Sequence, residues 1–134
     1  MKHSERRGQA ALEYLIIAAT LMLATAVMLG YVLPAYSNAT QIEQAGTALN
    51  ILTAAADKVY ALGPGSALVV EITLPSGVNS ITASENFIAM DVEGSTSLAV
   101  FDFNITPGTI PPTQGYHKIQ AEAIDENVKF SEVT

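Results

Sequence analysis

Gly8 follows Arg6 and Arg7 and stands directly before a long apolar run. A peptidase cutting at this small residue would act ahead of the apolar core. An ordinary secretory signal has the opposite order, with an apolar core of about 7–15 residues before its cut. A cut after Gly8 would therefore leave the apolar segment on the mature chain, with Gln9 first. Glu13 is the second chemically loaded position. A carboxylate at the end of a lipid-facing helix costs about 2.5–3.5 kcal/mol at mid-bilayer and less near the interface, so it calls for a partner or a use. Lys2, Arg6 and Arg7 would hold an uncut leader at the cytoplasmic face, following the preference for positive charge inside. Once they are removed, the nearest cation in sequence is the new α-amine of Gln9, and the next side-chain cation is Lys58.

The remaining reactive residue types form no constellation. There is no cysteine, which excludes a disulfide framework and a thiolate metal site. No His, Asp or Glu group has metal-ligand spacing, and Asp91, Glu93 and Asp102 read as solvated strand edges rather than a calcium cage. His117 reads as a half-buried surface residue, and His3 lies in the leader. The serines have no base at hand, and Gly63-Pro64-Gly65-Ser66 lacks the lysine and helix of a phosphate loop. No enzyme activity, cofactor or metal is expected. Asn38-Ala39-Thr40 and Asn104-Ile105-Thr106 match the N-glycosylation acceptor pattern, the second followed directly by Pro107. A formal net charge of −7 argues against nucleic acid as a partner, because phosphate backbones need a basic surface.

These residues must be positioned by elements that the hydrophobic pattern defines. The chain has 134 residues, 49% of them hydrophobic and 14% charged, but the average conceals three zones. A basic leader spans 1–8. A stretch rich in Ala and Leu spans 9–62 and reads as helix, with no charged residue between Glu13 and Glu43. Its part from Ala10 to Val32 exceeds the roughly 20 apolar residues that cross a bilayer core. Pro34 could kink this helix or end it near Leu33. Beyond it, Ile42, Ala45, Leu49, Leu52, Ala56 and Val59 recur at intervals of about three and four, which predicts one apolar stripe on an otherwise polar helix. Gly63, Pro64 and Gly65 end it. Helical throughout, Gln9 to Leu62 would run about 80 Å at roughly 1.5 Å per residue.

From Ala67 the period changes to two. Leu68, Val70, Ile72 and Leu74 share one face, and Pro75, Ser76 and Gly77 make a turn. Further strands are predicted at Val78 to Ala83, Asn86 to Val92, Ser97 to Asn104, Tyr116 to Ile124 and Asn127 to Val133. Turns are expected at Glu93, Gly94 and Ser95 and at Asp125 and Glu126, and Pro107 to Gly115 is a loop. About six short antiparallel strands suggest a small sandwich or rolled sheet, one open face of which the striped helix would cover. Phe87, Phe101, Phe103 and Phe130 fall in predicted strands and fill its core, while Tyr31 and Tyr36 flank the end of the apolar run at an interface.

At Gly8, Gln9, Ala11, Glu13 and Ile17 the sequence resembles the class III signal peptide of archaeal type IV pilins. In that family a prepilin peptidase cuts after glycine, just before a Q-x-S-x-E-x-x-x-L run. Gln9 and Glu13 match outright; Ala11 stands where the family usually has serine and Ile17 where it has leucine. The match covers about Arg6 to Leu33, and the head agrees in architecture alone. The resemblance implies that the prepilin peptidase, an assembly ATPase and a membrane platform are partners, and that identical subunits pack through their helices in a filament. Glu13 would then register an incoming subunit by pairing with a Gln9 amine, its own or a neighbour's. The alternative is a carboxylate at a helix start, favoured by the macrodipole and seated among headgroups. The apolar helix likewise has two readings, as a lipid-facing anchor or as a surface that packs on copies of itself, with Ala18, Ala19, Ala24, Ala26 and Gly30 allowing close approach.

The expected fold is α+β: a long N-terminal hydrophobic helix at 9–62, membrane-spanning and then filament core with an amphipathic second half, followed by an all-β head at 63–134. The expected function is a pilin, held in the cytoplasmic membrane as a single-pass precursor and polymerised outside the cell into an adhesion-type pilus. After the cut the chain would be more acidic than −7, which keeps filaments soluble and apart. One rival is a single-pass anchored extracellular binding domain that never polymerises. Another is a secreted enzyme cut near Ala39, which the length of the apolar run and the lack of an active site disfavour.

Overall fold

The computed structural model describes residues 2–106 and 108–134, with side chains from Gly8 onward except at 107. The fold is α+β, a long N-terminal apolar helix followed by a small β head. Helix α1, Lys2–Leu62, continues through Pro34 without a break. Proline removes one donor from the helix ladder, and the helical hydrogen bonds on either side are retained in spite of that loss. The chain divides into two compact units, Met1–Ser37 and Asn38–Thr134. The second unit takes in the last turns of α1 together with the whole head.

Within that unit the expected stripe is the side of the helix that is covered. Ala45, Leu49, Leu52, Ala56 and Val59 are buried, joined by Ala48 and Ala55, while Ile42 at the start of the stripe stays 40% exposed. The helix ends where Gly63 takes φ 90° and its N–H donates to the carbonyls of Val59 and Tyr60. This left-handed cap suits glycine because no Cβ is present to clash.

Among the described residues seven strands follow: β1 Ala67–Leu74, β2 Val78–Ser84, β3 Phe87–Val92, β4 Ser95–Val100, β5 Asn104–Thr106, β6 Gly115–Ile124 and β7 Asn127–Glu132. They form two sheets, a four-stranded one in the order β1-β6-β7-β5 and a three-stranded one in the order β2-β3-β4. Alternation decides which side chains turn inward. Ile72 and Leu74 on β1, Ile88, Met90 and Val92 on β3, Ile119, Ala121 and Ala123 on β6, and Val128 and Phe130 on β7 are buried in one cluster with the helix stripe. Glu93 and Gly94 both have positive φ, the requirement of the tight two-residue hairpin that joins β3 to β4.

The predicted strand from Ser97 to Asn104 is two strands with a corner between them. Phe101 and Phe103 are buried but lie at a bend, and the phenyl ring of Phe103 stacks on Tyr60 with centroids 4.3 Å apart. At this corner the chain leaves the three-stranded sheet and enters the other one, a strand switch typical of packed sheets. β5 consequently pairs with β7 in parallel, whereas an all-antiparallel head was expected. The connection from β5 to β7 runs through β6, so no hairpin fixes their relative direction. Ser95 begins β4 instead of belonging to the turn, and Phe87 is only partly buried. A side chain at Gly108 would collide with the backbone carbonyl of Phe130, so the loop before β6 can lie on β7 only with glycine there.

Candidate functional site

The segment from Gly8 to Tyr36 is apolar and has no covering. Every described side chain in it is exposed, including Leu12 at 59%, Leu23 at 67% and Tyr31 at 79%. Each large aliphatic side chain would gain about 1.5–3 kcal/mol on leaving water, so the segment as it stands suits lipid or other apolar side chains and not water. By length and composition α1 from Gly8 is sufficient to cross a membrane. The two threonine hydroxyls in this stretch are already satisfied: Thr20 and Thr25 donate to the carbonyls of Ile16 and Leu21, each at 2.8 Å. Such back-bonding keeps both threonine hydroxyls from standing bare on the apolar surface.

The residues of the signal-like motif lie on this helix. Gln9, Glu13 and Ile17 follow one another at four-residue intervals and so line one face, while Ala11 falls on another side. Glu13 is exposed and makes no ion pair among the described residues. A methyl at Gly8 would meet nothing within 4 Å, and the position is ordinary helix. Neither packing nor backbone conformation calls for glycine there, although glycine costs a helix about 1 kcal/mol relative to alanine. Gly30 and Gly46 share this property. Lys2, Arg6 and Arg7 are in the helix by backbone, but their side chains lie outside the described residues. Asn38 on α1 and Asn104 at the start of β5 are both exposed.

In the second unit, a groove of about 430 Å³ runs between α1 and β1, with Glu43 and Glu71 on its rim and Ala48 and Ile51 in its lining. Among the described residues no group of three or more His, Cys, Asp or Glu side chains converges. His117 departs from the sequence reading: it is 8% exposed, not half-buried. Its Nδ1 lies 2.6 Å from a carboxylate oxygen of Glu132 and its Nε2 lies 2.7 Å from the carbonyl of Thr113. Both partners can only accept, so the arrangement suits an imidazolium that donates twice. The hydrogen bond to Glu132 raises the imidazole above its ordinary value; burial opposes this, and the Thr113 carbonyl adds to the rise. The signal was present in the alternation, because His117 has the parity of buried Ile119 and Ala121, and Glu132 that of Val128 and Phe130.

Comparison with protein-family models, with curated proteins and with solved structures returns no match.

Proposed function

We propose that this chain is the structural subunit of an extracellular filament of the archaeal type IV pilus kind. The precursor sits in the cytoplasmic membrane as a single-pass protein, a prepilin peptidase cuts it after Gly8, and an ATPase-driven membrane platform polymerises it. The filament serves surface attachment or cell contact. One observation carries this reading: the apolar segment before Ser37 is exposed throughout, while the head builds its core from the helix residues after Asn38 and from its own strands. The segment is therefore available for an apolar partner, first lipid and then other copies. The motif at Gly8, Gln9 and Glu13 supplies the reason to expect processing, and the exposed Asn38 and Asn104 suit glycan attachment outside the cell.

N-terminal sequencing of material sheared from cells tests this. The expected sequence begins at Gln9, in a fraction that contains filaments. Protein that retains Met1 and is extracted by detergent only as single copies would establish the anchored binding domain instead. Glu13 is assigned the registration role through the Gln9 amine, with which it shares a helix face. Glu13→Gln is expected to lower filament yield while leaving the cut at Gly8 intact, as seen by comparing the sheared and membrane fractions. Normal yield from this variant would remove the role from Glu13.

A further inference from the structure

Among the described residues the two sheets of the head have four edges, and they are not treated alike. Exposed strand edges offer unpaired N–H and C=O groups to other chains, and proteins commonly blunt them with charge, bulges or short length. The β1 edge carries exposed Glu71, which lies 3.9 Å from Lys118. A register shift between Val78 and Ser80 disrupts β2. β5 is only three residues long. β4, Ser-Thr-Ser-Leu-Ala-Val, is six residues of regular strand with no charge, proline or bulge.

Its geometry shows which groups are on offer. Phe101 donates to the carbonyl of Asn86, in the same register that pairs β4 with β3. In an antiparallel ladder alternate residues point their backbone groups toward the neighbour, so Ser95, Ser97 and Ala99 bond to β3. Thr96, Leu98 and Val100 aim theirs at the open edge. The side chains of Leu98 and Val100 are also exposed, at 58% and 61%.

We infer that β4 pairs antiparallel with β4 of a second copy of this chain, in a register centred on Leu98. That register sets Leu98 against Leu98 and Thr96 against Val100, matching outward groups with outward groups and joining the two three-stranded sheets into one. The charge pattern selects an identical partner. The chain carries −7, and this edge is where two acidic copies meet without aligning carboxylates along the strand. Along the chain the nearest acids, Glu93 and Asp102, lie beyond its ends, and Asp91, paired with Thr96, stands on β3, one strand in from the edge. A partner chosen by charge finds nothing to hold along β4. A single strand pair falls short of the roughly 800 Å² per partner of standard stable interfaces, so the contact operates between copies already concentrated in a membrane. It does not depend on the filament reading.

The chain has no cysteine, which permits a single-thiol test on the full chain in lipid vesicles under mild oxidation. Leu98→Cys is expected to form disulfide dimers at least about fivefold faster than Val69→Cys, an exposed position on the β1 edge that reports random collision. Thr96→Cys and Val100→Cys alone stay at the collision rate, because copies of either residue would be roughly 13 Å apart, beyond the reach of a disulfide. Mixing those two variants restores cross-linking between them. The inference is overturned if Leu98→Cys is no faster than Val69→Cys, or if Thr96→Cys or Val100→Cys cross-links with itself as fast as Leu98→Cys. Circular dichroism of each variant confirms that the head is intact.

Discussion

One helix carries two different chemistries along its length. From Gly8 to Tyr36 the apolar residues surround the helix and all are exposed; after Asn38 they narrow to one stripe, and that stripe is covered. Leu23 and Leu52 have the same side chain in the same secondary structure, yet one is 67% exposed and the other 0%. Helical propensity cannot distinguish them. What differs is the polarity of the other faces: Glu43, Asn50, Asp57 and Lys58 bind water around the second half, whereas from Tyr14 to Ile42 there is no charge to do so. A helix with one apolar stripe is completed by a sheet, but a helix that is apolar all round needs an apolar medium.

The same truncation made in both halves sharpens this contrast and gives the largest expected effect. Leu52→Ala removes a fully buried side chain from the cluster it shares with Phe130, Ile88 and Met90, and should destabilise the head by about 2–5 kcal/mol. Leu23→Ala should leave head stability within about 0.5 kcal/mol. Thermal unfolding of the detergent-solubilised full chain, followed by β-sheet circular dichroism, measures both. Equal losses from the two variants would break the contrast, because the first half would then contribute to head stability.

Periodicity made most of this fold legible in advance. Intervals of three and four placed Ala45 to Val59 on one face, and alternation placed Ile72 and Leu74 inward, since both periods follow from backbone geometry alone. The corner at Phe101 and Phe103 was not legible. Two phenylalanines two residues apart satisfy the alternation of a strand and also a bend in which both rings are buried, and only contacts distant in sequence, such as Tyr60 on Phe103, decide between them. The parallel pairing of β5 with β7 was hidden for the same reason. The signal-like motif was readable as residue types at Gly8, Gln9 and Glu13. The use proposed for it depends on a peptidase and on other copies, which one chain does not contain.

The head also holds a charge arrangement that the first half lacks, and it provides the smallest of the expected effects. His117 donates to Glu132 and to the Thr113 carbonyl, tying the end of β7 and the loop before β6 to one buried ring. Since the folded state raises the imidazole above its ordinary 6.5, folding binds a proton more tightly than the unfolded chain does. The resulting stabilisation is complete below 6.5 and is lost as pH rises through the folded-state value. The Glu132 side chain is 42% exposed, so solvent screens the pair and the effect is modest. His117→Gln should therefore lower the unfolding temperature most in mild acid, with the gap to the parent chain narrowing toward alkaline pH. A gap that stays constant across this range would mean that the ring contributes by packing alone. A gap that widens with pH would mean that the neutral imidazole is the form the fold prefers.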